Sequence, residues 1–152
     1  MTYDELLKLA DENGITVREK EIPGFGGRSL GNRIAIRQDI PTQTEKSCVL
    51  AEELGHYHTT YGDILDLDDV RNRKQEFRAR MWGYDLKIGL MGIVNAYKKG
   101  CQNLFETAEY LDVTEEYLLE ALKTYRSKYG IYATIDNYII YFEPSLLVAT
   151  LY

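Results

Sequence analysis

The stretch Cys48-Val49-Leu50-Ala51-Glu52-Glu53-Leu54-Gly55-His56-Tyr57-His58 decides how the rest of the chain is read. Its apolar residues Val49, Leu50, Leu54 and Tyr57 recur at helical spacing, and Pro41 followed by Thr42 and Thr44 supplies a helix entry just upstream. On that helix Glu52 and His56 are one turn apart and project from the same face, with Glu53 beside them. A carboxylate and an imidazole placed this way have the geometry of a metal clamp.

In an H-E-x-x-H helix two histidines one turn apart bind zinc, and the intervening Glu takes a proton from the water that attacks a peptide carbonyl. Here the first ligand position is Glu52. A carboxylate oxygen also binds zinc, but it is charged and harder than imidazole, which weakens the Lewis acidity of the ion or shifts preference toward other divalent metals. Adjacent glutamates on an acidic helix also commonly form a solvated face, and the spacing alone leaves that reading open. His58 lies two residues beyond His56 and so points roughly 200° around an ideal helix. It reads as a surface or loop-packing histidine, with a hydrogen bond to a metal ligand as its secondary role. Cys48 reads as a small buried hydrophobe on the same helix.

Upstream, Leu6 and Leu7 lie in a helical pattern over residues 3–13 that ends at Asn13-Gly14. Alternation from Ile15 to Ile22 predicts a strand, Pro23 to Gly27 a turn, and Asn32 to Arg37 a second strand, so a small antiparallel sheet is expected before the central helix. The glycines lack G-x-G-x-x-G spacing and no helix comes directly after them, which argues against a phosphate loop. Downstream, Asp63, Asp66, Asp68 and Asp69 form an acidic loop that reads as solvated charge, with Asp63 and Asp66 as reserve ligands. A helix is expected from about Asn72 to Leu90, carrying Glu76, Ala79 and a core anchor, Trp82. Gly89, Gly92 and Gly100 punctuate the segment beyond that helix. Two helices over 103–110 and 114–128 and a terminal strand from Ile135 to Phe142 complete the chain.

The length of 152 residues and 45% hydrophobic content suit a single domain, residues 1–152, with its own core. A net charge of −6 opposes direct binding to nucleic-acid phosphates. The helix pair at 103–128 carries Glu115, Glu116 and Glu120 where phosphate contact demands positive charge, so it reads as packing or partner contact. Cys48 and Cys101 are far apart and outside C-x-x-C spacing, which suggests free, buried thiols. The N-terminus has no leader pattern and no stretch approaches a membrane span, so a cytoplasmic location without membrane contact is expected.

The 48–58 string resembles the phage-type ImmA/IrrE metallopeptidase family, whose helix commonly reads leucine-alanine-His-Glu-leucine-glycine-His. Glu76-Phe77-Arg78-Ala79-Arg80-Met81-Trp82 resembles the family's second helix, in which a glutamate three residues before an alanine supplies the third metal ligand. Ala108 to Tyr117 and Tyr138 to Pro144 are also similar to prophage members. The resemblance implies an α+β, mainly helical, zincin-like domain with a small mostly antiparallel β-sheet. It implies Glu52, His56 and Glu76 as ligands of one divalent metal ion, zinc being the expected one, and Glu53 as general base. It further implies an endopeptidase of a bacterial host cell that relieves repression by acting on a phage-type helix-turn-helix repressor. The change of His to Glu at position 52 supports an alternative, an antirepressor that binds this partner without cleaving it. A third reading is a metal-free domain whose acidic groove mimics nucleic acid.

Overall fold

Thr2 opens the first helix, α1 (Tyr3–Glu12), through a reciprocal cap: its hydroxyl accepts from the Glu5 amide, and the Glu5 carboxylate accepts from the Thr2 amide. The helix stops at Asn13, and Gly14 comes next with φ of +73°. These features belong to a computed structural model that describes residues 1–59 and 70–152. The acidic loop residues Asp63, Asp66, Asp68 and Asp69 lie outside the described residues. The chain packs as two compact units, Met1–Leu86 and Lys87–Tyr152.

In the first unit three strands, β1 (Thr16–Lys20), β2 (Gly27–Leu30) and β3 (Arg33–Arg37), form a sheet in the order β1-β3-β2. The central strand buries Ile34 and Ile36 and leaves Arg33 exposed, the alternation expected of a half-buried strand. Two helices cover the sheet: α1 with Tyr3, Leu6 and Ala10, and α2 (Gln43–Thr59) with Leu50, Ala51 and Leu54. The parallel pairing of β1 departs from the small antiparallel sheet expected here, to which β2 and β3 conform. β2 lies between the two strands in sequence and makes the hairpin with β3 through Gly31-Asn32. That leaves β1 the other edge of β3, where it pairs in parallel, and the segment from Glu21 to Asn32 is long enough for the crossover. Helix α2 begins at the expected entry, with the Thr42 hydroxyl accepting from the Glu45 amide. Helix α3 (Val70–Lys87) carries Glu76 and Ala79.

The second unit contains α4 (Gly89–Lys99), α5 (Leu104–Leu111) and α6 (Glu115–Tyr129), then β4 (Tyr132–Ile135), β5 (Tyr138–Tyr141) and β6 (Leu147–Thr150) as an antiparallel meander. Fully buried Tyr125 anchors its core and packs against Phe142 with ring centroids 6.2 Å apart. The expected continuous strand from Ile135 to Phe142 is instead a hairpin. Ile135 pairs with Tyr138 across Asp136-Asn137, and Asp136 takes the positive φ such a two-residue turn needs. Helix α4 is an addition to the expected elements. It buries Ile93, Val94 and Ala96, and Gly92 meets the Leu111 side chain rather than ending the helix. Among the described residues there are six helices and two three-stranded sheets, and three of the four strand pairings are antiparallel. The fold is therefore α+β and mainly helical. No helix among the described residues is long and apolar enough to cross a membrane.

Candidate metal centre

Helices α2 and α3 meet backbone to backbone. A Cβ on Gly55 would sit 2.1 Å from the Ala79 carbonyl oxygen, and one on Gly83 would sit 2.9 Å from that of Ala51. Each helix therefore contributes one glycine and one fully buried alanine, spaced one turn apart, to the crossing. Only residues without bulk permit so close an approach. The approach places Glu76, one turn before Ala79, against the face of α2 that carries Glu52 and His56.

Glu52, His56 and Glu76 each offer a ligand atom, and these atoms lie within 4.8 Å of one another. His56 Nε2 is 3.6 Å from Glu76 Oε2. That separation is too long for a hydrogen bond. It is close to the ~3.4 Å expected between two ligand atoms held about 2.1 Å from a tetrahedral ion. The other oxygen of Glu76, Oε1, accepts from Arg80 Nε at 3.0 Å, an i,i+4 contact along α3 that leaves Oε2 for His56. One imidazole and two carboxylates equal in number the three protein ligands of catalytic zinc sites, with Glu52 standing where a His2Glu set has its second histidine. The residues present thus fit a divalent ion in both spacing and donor chemistry.

Glu53 faces β2. Its Cγ lies 2.9 Å from the point a Gly27 Cβ would occupy. Burial pushes the Glu53 carboxyl above its ordinary value. The charge of His56 and the Ser29 hydroxyl pull it back, whereas Glu52 and Glu76 push it further up. The four acidic and basic groups of the site are therefore electrostatically linked to one another.

The remaining candidates take structural places. His58 stacks on Trp82 with ring centroids 4.3 Å apart and meets Tyr57 edge-on, and it is not part of the ligand cluster. Burial lowers its basicity. Trp82 packs against the core cluster of the first unit. Cys48 is buried, while Cys101 is only half-buried, with Sγ 3.6 Å from the Glu106 carbonyl oxygen. Reserve ligands Asp63 and Asp66 lie outside the described residues.

The sequence pattern of the peptidase M78 family, described as the IrrE N-terminal-like domain, matches residues 10–134. The chain belongs to this family. Membership makes it a metallopeptidase-like protein and implies a divalent metal, for which the Glu52, His56 and Glu76 cluster is a candidate site. Neither a curated protein nor a solved structure matches the chain closely enough to add a relative.

Arg80, Ser29, Gly27 and Gly83 are site residues that the sequence alone did not single out. Arg80 could have been found, because it lies four residues after Glu76 on a helix. Ser29 could not, since β2 lies more than twenty residues upstream of Glu53 and only the packing of β2 on α2 joins them.

Proposed function

We propose that this M78 protein is a zinc-dependent endopeptidase of phage or mobile-element type, which acts in the cytoplasm on a helix-turn-helix repressor and so relieves repression. The observation that carries the reading is the convergence of Glu52, His56 and Glu76 on one point, with Glu53 beside it. Glu52, His56 and Glu76 would hold the ion, which when bound supplies Lewis acidity to polarise a peptide carbonyl and acidify water. Glu53 takes the proton of the attacking water and returns it to the leaving amine. Its partly buried setting, which favours proton retention, suits that exchange.

A polypeptide substrate is supported by the neighbouring sheet. Among the described residues β2 is a terminal strand, and its packing against α2 brings its edge beside Glu53. An extended segment adding to that edge would run its backbone past the base.

A second reading is favoured by one feature, the carboxylate at position 52. It adds negative charge to a site that already holds Glu53 and Glu76, and a harder ligand weakens the acidity that a bound zinc ion would confer. Under that reading the protein binds its repressor without cutting it. The two are separated by incubating the zinc-loaded protein with a candidate repressor encoded beside it. Discrete fragments that vanish on chelation, and fall at least about 100-fold with Glu53→Gln, support the peptidase. A stable complex with an intact repressor supports binding alone, and relief of repression by Glu53→Gln equal to wild type would refute cleavage as the cause.

A further inference from the structure

We propose that Arg80 is a positioning residue for the metal clamp: it holds one oxygen of the Glu76 carboxylate, so that Glu76 meets a divalent ion through the other oxygen alone. This rests on the reading of Glu52, His56 and Glu76 as the clamp. Arg80 Nε donates to Glu76 Oε1 at 3.0 Å, while Glu76 Oε2 stands 3.6 Å from His56 Nε2. The two oxygens of one carboxylate are thus divided between two tasks. Arg80 comes four residues after Glu76, the spacing and the acid-before-base order that a helix favours. The Glu76 side chain is sheltered, at 16% exposure, while that of Arg80 is half exposed, at 52%. A charge-assisted bond to a sheltered carboxylate fixes its direction. The same pair adds little to the stability of the fold, because its basic partner is solvated.

The helix backbone does not achieve this by itself. The close crossing at Ala79 and Gly83 fixes where α3 lies against α2, but the last torsion of a glutamate is broad and turns either oxygen, or both, toward an ion. Carboxylates bind divalent ions through one oxygen or through two. Catalytic zinc sites keep one position open beside their three protein ligands, and a second oxygen from Glu76 would occupy it. The carboxylate at position 52 sharpens the need. Glu52, His56 and Glu76 together offer up to four oxygens and one ligating nitrogen, one donor atom more than a His2Glu set. Withdrawing Oε1 into the bond with Arg80 restores the smaller number.

The test uses the full chain with zinc and with cobalt(II), whose visible absorption weakens when a further ligand atom joins the ion. Zinc affinity is measured by competition with a chromophoric chelator, and the metal-free fold by its urea midpoint. Arg80→Ala is expected to weaken zinc about tenfold or more and to lower the cobalt absorption about twofold. Its metal-free urea midpoint is expected to match wild type. Arg80→Lys returns a donor at the same spacing and is expected to restore both metal readouts. Glu76→Ala is the control and is expected to lose the metal. If Glu76→Ala loses it while Arg80→Ala keeps wild-type affinity and spectrum, the positioning role is overturned and the clamp stands. Wild-type metal binding by Glu76→Ala would remove the clamp assignment and the Arg80 role with it. Weakened zinc with a wild-type cobalt spectrum in Arg80→Ala would also overturn the proposal, since Glu76 would then present one oxygen unaided.

Discussion

Replacing Gly55 by alanine gives a result whose sign depends on the helix crossing. The added Cβ would lie 2.1 Å from the Ala79 carbonyl oxygen, against 3.4 Å for ordinary contact, a shortfall of about 1.3 Å. The obstacle is backbone, so no rotamer change relieves it and the two helices must move apart by about an ångström. Metal ligands tolerate only about 0.2 Å of displacement, and His56 adjoins Gly55 while Glu76 lies on the helix being pushed away. Zinc affinity should fall by about 100-fold or more. For stability two effects oppose each other. Alanine gains about 1 kcal/mol over glycine in a helix interior. Overpacking a rigid contact costs about 1–3 kcal/mol or more. The clash should win, giving a net loss of about 1–2 kcal/mol in urea unfolding of the metal-free protein. Gly83→Ala meets the Ala51 oxygen at 2.9 Å, a shortfall of about 0.5 Å, and should show the same two effects more weakly. A Gly55→Ala protein that is about 1 kcal/mol more stable than wild type and binds zinc unchanged would refute the close crossing.

Tyr3 and the Lys87–Asp112 pair supply two further tests away from the metal centre. Burial, reinforced by the charges of Glu19 and Asp4, pushes the Tyr3 hydroxyl from 10.0 up to about 12. The folded state therefore keeps its proton where the unfolded state loses it, so this contribution is intact below pH 10 and lost as pH rises toward 12. Wild type should lose about 1 kcal/mol relative to Tyr3→Phe over that window, the full shift being reduced by solvent screening, and parallel pH curves for the two would contradict the shift. In the second unit the Lys87 side chain is fully buried, with Nζ 3.7 Å from Asp112 Oδ2. Asp112→Asn keeps a side chain tolerant of the left-handed backbone there but removes the charge, and should destabilise by about 1–3 kcal/mol, with Lys87→Met added to it recovering most of the loss. Additive effects in the double variant, read from urea midpoints, would dissociate the two residues.

The legible and illegible parts of the molecule divide along a physical line. Helix α2 was readable because its entry at Pro41 and Thr42 and its apolar spacing are local signals, and the shared face of Glu52 and His56 comes from helix geometry alone. Glu76 was reached only through family resemblance, because its approach to His56 depends on small residues of two helices meeting at Gly55, Ala79, Ala51 and Gly83. Helix α4 was missed because Gly89 and Gly92 have the composition of a break, while a tertiary neighbour, Leu111, explains the second of them. The Asp136-Asn137 turn lacks the glycine that usually marks a two-residue hairpin, so β4 and β5 blurred into one strand. The parallel pairing of β1 with β3 is a long-range choice that alternation along a single strand does not encode.

Glu52, His56 and Glu76 converge as one candidate divalent-metal clamp. Metal analysis of protein purified without chelator or histidine tag, for wild type and for Glu52→Ala, His56→Ala and Glu76→Ala, addresses it most directly. Wild type is expected to carry about one equivalent of zinc or another divalent transition metal, and all three variants to lose it. A wild-type protein free of metal, or variants that keep a full equivalent, would contradict it.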